Sequence, residues 1–284
     1  MKRFYIIANS DKDKEFRLAK ELCDYIKKKG GECVYQQFDP QKDGGIYNLA
    51  DTNKIPVETQ CVIVLGGDGT LIQAARDLSS IEAPVFGINI GTLGYLTEID
   101  REQAFPSIDL LLSDQYVIDE RMILRGEVYR GNERIYSDIA LNDIVLNRIG
   151  PLRMIHFDVY VNNEFLITYP ADGLVVSTPT GSTAYNLSAG GPIVRPETKA
   201  IVMTPVCPHI LNKSSVIFGS DDILEIHMCK SGNGTEERVV TFDGDHYVPL
   251  VSGDKIIISK SEHKARLVRT KKHNFLQILR NKLS

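Results

Sequence analysis

A single carboxylate lies among glycines in the segment Gly66-Gly67-Asp68-Gly69-Thr70. Glycines let backbone N–H groups approach an anionic ligand closely, because no Cβ stands in the way. A carboxylate beside a bound phosphate is unfavourable unless it holds a metal ion or accepts a proton, and a hydroxyl that attacks phosphorus must lose its proton. The segment therefore predicts a phosphate loop with Asp68 as the catalytic proton acceptor. A turn-forming or helix-capping role for Asp68 is the alternative.

The elements that must position this loop are a strand before it and a helix after it. Cys61 to Leu65 is a short run rich in β-branched residues, which is typical of a buried strand. Apolar residues then recur with helical spacing at Leu71, Ala74, Ala75 and Leu78. Thr70 is predicted to cap that helix, whose N-terminus favours phosphate. The residues predicted to contact the phosphates are Gly66, Gly67, Gly69 and Thr70.

The chain changes its periodicity near residue 116. Strand-like and helix-like runs alternate up to about Leu112, which predicts an α/β domain with a Rossmann-like parallel sheet over residues 1–117. Short alternating runs with turn signals such as Asn162-Asn163 predict a β-sandwich-like domain over 118–262. A C-terminal segment, 263–284, is predicted to return to the first domain.

A second glycine-rich loop, Ile90 to Glu98, also follows a strand-like run. Ligands of parallel sheets bind at the carboxyl ends of the strands. We therefore expect this loop and the loop at 66–69 to line one crevice, although an ordinary tight connection would give the same sequence pattern.

Composition narrows the class of protein. The 284 residues are 43% hydrophobic and carry a formal net charge of −4, so the basic excess of a nucleic-acid-binding protein is missing. No apolar run reaches membrane-spanning length, and neither nucleic acid nor membrane is an expected partner. The 5 cysteines show no C-x-x-C spacing, and the histidines show no metal-ligand spacing, so no residue is predicted to bind a metal. A reducing cytoplasm fits this cysteine content.

Two further stretches have the chemistry to bind a nucleoside. Asp172 to Pro192 is dense in hydroxyls around Pro179 and Gly181, which suits sugar hydroxyls, base edges and phosphates, and the ring of Tyr185 can stack on a base. Asn142-Asp143 offers donors and acceptors to a base and to ribose. The alternatives are a Ser/Thr-rich surface loop for the first stretch and a turn for the second. Asp243-Gly244-Asp245 is read first as a hairpin turn and second as the edge of a site.

Together these stretches resemble the NAD kinase family. The matching segments are Gly66 to Thr70, Gly87 to Asn89 with Gly94 to Thr97, Asn142-Asp143, Asp172 to Pro192, and Phe242 to Gly244. The first segment is shared with diacylglycerol-type lipid kinases and 6-phosphofructokinases, whereas the stretch from Asp172 to Pro192 is highly specific.

The resemblance implies phosphorylation of the adenosine ribose 2′-hydroxyl of NAD⁺ to give NADP⁺, with ATP or polyphosphate as donor and Mg²⁺ or another divalent cation. It also implies a homodimer or homotetramer whose NAD site borrows residues from a neighbouring subunit. Asp68 corresponds to the proton acceptor. The residues that the loops and the resemblance together assign to nucleotide binding are Gly66, Gly67, Gly69, Thr70, Asn89, Gly91, Asn142, Asp143, Arg153, Asp172, Thr183, Ala184, Tyr185, Asn186, Leu187, Ser188 and Asp245.

Two other functions are compatible with the same loop. A lipid kinase would need an interfacial helix, for which the basic segment Lys271 to Leu283 is the candidate. A non-catalytic NADP-binding sensor would have the same site but would not need Asp68.

Overall fold

The structure, a computed structural model, describes residues 1–9, 12–38, 52–81, 83–91, 94–97, 99–150, 154–211, 213–230, 237–270, 275–276 and 279–280. The strands in these ranges are β1 Arg3–Asn9, β2 Glu32–Phe38, β3 Cys61–Gly66, β4 Val85–Asn89, β5 Ile99–Asp100, β6 Val117–Arg130, β7 Glu133–Ala140, β8 Asp143–Ile149, β9 Ile155–Val161, β10 Glu164–Ala171, β11 Gly173–Ser177, β12 Ala200–Val206, β13 Val216–Gly219, β14 Leu224–Met228, β15 Glu237–Phe242, β16 His246–Leu250 and β17 Lys255–Arg269. The α-helices are α1 Arg17–Lys28, α2 Asp68–Asp77, α3 Ala104–Leu112 and α4 Tyr185–Ser188, and short 3₁₀ turns lie at Lys14–Phe16, Thr52–Lys54, Arg101–Gln103 and Gly181–Thr183.

The chain divides into two compact units. The first comprises Met1–Glu120 with Ala265–Ser284, and the second comprises Arg121–Lys264. Each unit has its own hydrophobic core.

The first unit is a parallel sheet in the order β5, β4, β3, β1, β2. The last part of β17 joins this sheet, with Leu267 beside Val85 in a parallel pair. Buried side chains of α1 and α3 pack into the same core as β1 and β3, because each helix presents an apolar stripe to the sheet. The expected α/β fold, with a C-terminal segment that returns to it, is confirmed.

The second unit consists of antiparallel strands. One set runs β10, β9, β14 and the first part of β17, and β6 pairs with β7. A second sheet runs β13, β12, β11, β8, β15, β16. Side chains from both sets, such as Phe157 of β9 and Leu146 of β8, form one core, which is the packing of a β-sandwich.

The hairpin predictions of the second unit are confirmed. Asn162 and Asn163 have φ of 51° and 67° and join β9 to β10, which is the left-handed geometry that asparagine tolerates. Asp243 and Gly244 have φ of 51° and 76° and join β15 to β16.

Some predictions concern residues outside the described ranges. These are Arg153 and most of the C-terminal segment, residues 271–274, 277–278 and 281–284. Among the residues that are described, we find no helix whose length and apolar character would let it cross a membrane.

Candidate active site

The glycine loop joins β3 directly to α2. β3 is buried along its whole length and ends at Gly66, and Gly67 has an extended backbone and is the N-cap of α2. The prediction that Thr70 caps this helix is wrong, because the helix already begins at Asp68. Thr70 instead packs against Gly66, where a Cβ would lie 2.5 Å from the Cβ of Thr70, so this turn requires glycine.

The loop presents the N-terminus of α2. The first N–H groups of a helix have no partner within the helix, and together with the helix dipole they favour an anion. Gly69 is exposed, and a Cβ placed there would meet no described atom within 4 Å. None of the described residues therefore blocks the approach of a ligand to Gly69.

Asp68 is held by the second glycine-rich loop. Its Oδ2 accepts a hydrogen bond from the backbone N–H of Tyr95 at 2.6 Å, and the N–H of Leu96 is shared between both oxygens at 3.2 Å. Its Oδ1 accepts from the N–H of Thr97 at 2.9 Å and from the Thr97 hydroxyl at 2.7 Å. Because backbone N–H groups only donate, these contacts orient Asp68 as an acceptor on both oxygens.

Gly94 makes this approach possible. A Cβ on Gly94 would lie 1.9 Å from Oδ1 of Asp68, which no side chain tolerates. The expectation that both glycine-rich loops line one crevice stays a prediction, but residues 94–97 of the second loop do contact Asp68 of the first. This contact follows from the parallel pairing of β3 with β4, which brings Gly66 beside Asn89 at the carboxyl ends of both strands.

Asn89 and Gly91 support the loop from inside. Asn89 is 2% exposed. Its Oδ1 accepts from the N–H of Gly91 at 2.6 Å, and its Nδ2 donates to the Thr97 hydroxyl at 3.0 Å. Asn89 was predicted to bind the nucleotide, and the structure places it in the buried wall behind the loop.

Lys12 is a cation that the sequence analysis did not single out. Its Nζ lies 3.1 Å from the point where a Cβ on Gly67 would stand, so the ammonium group sits against the glycine loop. The signal was available in the sequence, because Lys12 follows the first strand and β1 is the neighbour of β3 in the sheet. Lys12 does not stand out in the sequence, because acidic and basic residues alternate from Asp11 to Lys14.

In the second unit, Asp243 shapes the turn that contains Asn142 and leads into Asp143. Its carboxylate accepts from the N–H groups of Leu141 at 2.8 Å, Asn142 at 2.7 Å and Asp143 at 3.1 Å. Asp243 is a full hundred residues away in sequence from the turn that it organises. Asn142 lies in the short connection between β7 and β8, and Asp143 is the first residue of β8, so the interpretation as a turn holds for Asn142 only. Both residues border a cavity.

The cavity has a volume of about 360 Å³, at the lower end of the range for small-molecule sites. Its lining residues are Asn142, Asp143, Val145, Asn147, Ala184, Tyr185, Thr241, Asp243 and Gly244. Four predicted binding residues thus meet here, namely Asn142, Asp143, Ala184 and Tyr185. Tyr185 is 38% exposed, so part of this residue is accessible to a ligand.

Asp143 is the electrostatically unusual group of this cavity. It is 5% exposed and shares its surroundings with the charge of Asp243. Burial, and secondarily the charge of Asp243, raise the pKa of Asp143 to about 7 from the ordinary 3.8. A ligand hydroxyl that donates to this carboxylate stabilises the ionised form.

The hydroxyls of the Asp172 to Pro192 stretch mostly fasten the stretch to itself and to the neighbouring turn. Thr178 Oγ1 donates to the carbonyl of Leu141 at 2.6 Å, and Ser182 Oγ donates to the carbonyl of Pro179 at 2.7 Å. A Cβ on Gly181 would lie 2.1 Å from the carbonyl oxygen of Asn142, so glycine is needed for this contact. The hydroxyl density therefore positions Ala184 and Tyr185 more than it faces the cavity.

Other predicted binding residues of the second unit do not line the cavity. Asn186 is completely buried, and its amide bonds to Ser182, Pro192 and Thr204. Asp172 forms an ion pair with Arg148, whose Nε lies 2.7 Å from Oδ1. Further residues in this group are Thr183, Leu187, Ser188 and Asp245.

A larger cavity of about 820 Å³ lies in the first unit. It is lined by residues at the amino ends of the strands, such as Lys2, Gln60 and Pro84, and contains none of the predicted site residues. Ligands of parallel sheets bind at the opposite, carboxyl edge. Size alone therefore does not identify the site in this unit.

Comparison with known proteins covers nearly the whole chain. A family model described as the ATP-NAD kinase N-terminal domain matches residues 4–116, and one described as the ATP-NAD kinase C-terminal domain matches residues 141–270. A protein named NAD kinase from Lachnospira eligens is 49% identical, with 100% of both chains covered. One from Agathobacter rectalis is 42% identical, covering 100% of this chain and 99% of the relative.

Two solved structures share the fold. Yeast NADH kinase complexed with NADH superposes with a TM-score of 0.82 at 25% identity, over 100% of this chain and 87% of that one. An NAD kinase from Archaeoglobus fulgidus in complex with ATP superposes with a TM-score of 0.73 at 22% identity, over 99% and 98% of the two chains. Given the full-length relatives and the two matching domains, the chain belongs to the NAD kinase family.

Proposed function

We propose that the protein is an NAD kinase, which transfers the γ-phosphoryl group of ATP to the 2′-hydroxyl of the adenosine ribose of NAD⁺, and that Asp68 accepts the proton of that hydroxyl. The observation that supports this most is the placement of Asp68. It is the first residue of a helix whose N-terminus is a glycine loop, in a chain similar over its full length to proteins named NAD kinase.

The reaction divides naturally between groups of this chain. The bond that forms joins the ribose 2′-oxygen to the γ-phosphorus, and the bond that breaks joins that phosphorus to the β–γ bridging oxygen, so ADP leaves. The proton of the 2′-hydroxyl passes to the Asp68 carboxylate. The N–H groups at the start of α2 and the ammonium of Lys12 hold the donor phosphates, where positive potential stabilises the transferring group.

The cavity of the second unit supplies the nucleoside contacts in this proposal. The carboxylate of Asp143 accepts hydrogen bonds from ribose hydroxyls, and the amide of Asn142 offers both a donor and an acceptor to a base. Tyr185 stacks on the base. Asp243 contributes indirectly, because it holds the turn from which Asn142 and Asp143 project.

In this proposal a divalent cation binds together with the substrate ATP. Within the ranges that the structure describes, no group of three or more His, Cys, Asp or Glu side chains could hold a metal ion. Both oxygens of Asp68 are engaged by N–H and O–H donors. Asp68 alone does not make a protein-built metal site among the described residues. In this proposal the donor is therefore Mg–ATP, whose cation would be held by phosphate oxygens and water.

The assembly and location follow from the family resemblance. We infer a cytoplasmic homodimer or homotetramer, and light scattering on the purified protein measures the number of subunits. A monomer that is fully active would contradict the expectation of a shared site.

The experiment that tests the function measures NADP⁺ formation from NAD⁺ and Mg–ATP through an NADP-specific dehydrogenase. Polyphosphate in place of ATP, and NADH in place of NAD⁺, define donor and acceptor. We expect turnover with equal amounts of ADP and NADP⁺. A folded protein that binds NAD⁺ in calorimetry but forms neither product would contradict the kinase assignment and favour the sensor.

Lys12→Gln is expected to raise KM for ATP about 5- to 10-fold and to leave KM for NAD⁺ unchanged. The physical reason is the loss of one charge-assisted contact to a donor phosphate, at an exposed position where such contacts contribute about 1 kcal/mol. Steady-state kinetics with one substrate varied at a time measure both constants.

Lys14→Gln is the matched control, because Lys14 is also exposed and lies in the same segment but does not approach Gly67. Lys12→Arg retains the charge and should keep most of the affinity. An equal change in KM for ATP in Lys12→Gln and Lys14→Gln would argue against a specific contact.

A further inference from the structure

Three hydrogen bonds in the first unit form a chain that ends on Asp68. The N–H of Gly91 donates to Oδ1 of Asn89 at 2.6 Å. The Nδ2 of Asn89 donates to Oγ1 of Thr97 at 3.0 Å. The hydroxyl of Thr97 donates to Oδ1 of Asp68 at 2.7 Å.

The direction of this chain is determined by its first member. A backbone N–H only donates, so the atom of Asn89 that faces Gly91 must be the carbonyl oxygen, and the amide NH₂ must face Thr97. The Thr97 oxygen then accepts from Asn89, which leaves its single proton for Asp68. Asn89 and Thr97 are 2% and 1% exposed, so water does not substitute for these bonds.

The two oxygens of Asp68 are consequently unequal. Oδ1 accepts from both the N–H and the hydroxyl of Thr97, at 2.9 Å and 2.7 Å, and also shares the N–H of Leu96. Oδ2 accepts from the N–H of Tyr95 and shares that of Leu96. A carboxylate oxygen has about two lone-pair sites. Those of Oδ1 are committed to Thr97. Among the described residues, Oδ2 has one full donor, the N–H of Tyr95, and a share of the Leu96 N–H, so it retains capacity for one further partner.

We propose that Thr97 is a positioning residue for phosphoryl transfer, which occupies Oδ1 of Asp68 through its hydroxyl and so makes Oδ2 the oxygen that takes the proton. This inference rests on the proposed function. In the step itself the proton leaves the attacking hydroxyl for Oδ2, while the bond from Thr97 to Oδ1 keeps the carboxylate from rotating. Asn89 acts one bond further away, by directing the Thr97 proton.

The test compares Thr97→Val with Thr97→Ser. Valine keeps the shape of threonine and removes the hydroxyl, so we expect kcat to fall about 10-fold, while KM for NAD⁺ and for ATP change less than about 2-fold, since one hydrogen bond to a charged group is lost. Serine restores the hydroxyl and should return kcat to within about 3-fold of wild type. A defect of packing alone would not be rescued by the smaller serine.

A double-mutant cycle asks whether Thr97 acts through Asp68. Thr97→Val on the Asp68→Asn background should lower kcat by less than about 3-fold beyond Asp68→Asn alone. Thermal melting of each variant checks the fold, and Thr97→Ala serves in place of valine if Thr97→Val does not fold.

Three results would overturn the inference. They are an unchanged kcat in folded Thr97→Val, a serine variant no better than valine, and effects of Thr97→Val and Asp68→Asn that multiply. If the wild type is active and any of these three results is observed, the kinase assignment is unaffected. A wild type that forms no NADP⁺ overturns the kinase assignment and this inference together.

Discussion

Asp68→Asn is expected to lower kcat for NADP⁺ formation by at least about 10²–10⁴-fold, because the variant cannot take the proton of the attacking hydroxyl. KM for ATP should change little, since the N–H groups of α2 and the charge of Lys12 are untouched. The measurement is the coupled NADP⁺ assay at saturating substrates, with burst and steady-state phases recorded.

The same substitution has a structural cost. Asparagine has one carbonyl oxygen and one NH₂ group, and the NH₂ group must face a donor, either the N–H of Tyr95 or the N–H and hydroxyl of Thr97. An unmade buried hydrogen bond costs about 1–3 kcal/mol, so the melting temperature should fall by several degrees. The kinetic comparison therefore belongs at a temperature where melting shows the variant to be folded.

Asp77→Asn is the matched control. Asp77 is the last residue of α2. Asp77→Asn therefore also removes one negative charge, but from the C-terminal end of the helix, where the helix dipole disfavours a negative charge. We expect wild-type kcat in this variant. A folded Asp68→Asn enzyme that keeps more than about a tenth of wild-type kcat would remove Asp68 from the role of proton acceptor.

Asp143→Asn is expected to raise KM for NAD⁺ about 10- to 100-fold at pH 8 without changing KM for ATP. In the proposed complex, ribose hydroxyls donate hydrogen bonds to the charged carboxylate of Asp143. In a buried cavity such bonds are worth about 1.5–3 kcal/mol. Kinetics with NAD⁺ varied at saturating ATP measure the change. Asp143→Glu retains the charge on a side chain that is one methylene longer, so it should recover part of the affinity for NAD⁺. A wild-type KM for NAD⁺ in Asp143→Asn would contradict the assignment of Asp143 to NAD⁺ binding.

The pH dependence of the wild type follows from the same group. The pKa of Asp143 is raised to about 7 by burial and by Asp243. In the proposed complex, ribose hydroxyls donate to the ionised form. KM for NAD⁺ should therefore fall as pH rises from about 6 to about 8. In Asp143→Asn, KM for NAD⁺ should be nearly independent of pH over that range.

The stability of the unliganded protein should fall as pH rises, whereas its affinity for NAD⁺ should increase. The pKa of Asp143 in the folded protein lies above the ordinary 3.8, so its contribution to stability is fully present below pH 3.8 and is lost as pH rises through about 7. The unliganded wild type should lose melting temperature between pH 5 and 8 relative to Asp143→Asn. If the melting temperature of the wild type instead rose relative to that of Asp143→Asn between pH 5 and 8, the pKa of Asp143 in the folded protein would not be raised.

Local patterns in the sequence were sufficient for the elements and for several turns. The β-branched run before Gly66 predicted the buried strand β3, and the alternation of strands and helices predicted a parallel sheet. The carboxyl-end rule for such sheets predicted that both glycine-rich loops line one crevice, and residues 94–97 of the second loop contact Asp68 of the first. The strand and sheet inferences succeed because burial, propensity and turn chemistry act over a few neighbouring residues.

The start of α2 shows the limit of local reasoning. Thr70 has the side chain of a helix cap, yet the chain turns earlier because Gly67 adopts the extended backbone that begins the helix at Asp68. The hydroxyls near Gly181 were likewise predicted to face a ligand, and they bond instead to the turn at Asn142. Residue type indicates what a group can bond to, and the packing of the surrounding chain selects the partner.

The sequence by itself thus determined the fold class, and it predicted the carboxylate proposed to accept a proton and the segments of the candidate site. The tertiary structure alone decided which atoms those groups contact. Asp68 is oriented by Thr97, and the turn at Asn142 is held by Asp243, in each case through a partner distant in sequence. Such pairings depend on strand register and on side-chain rotamers within a packed interior, and no periodicity or motif in the sequence encodes them locally.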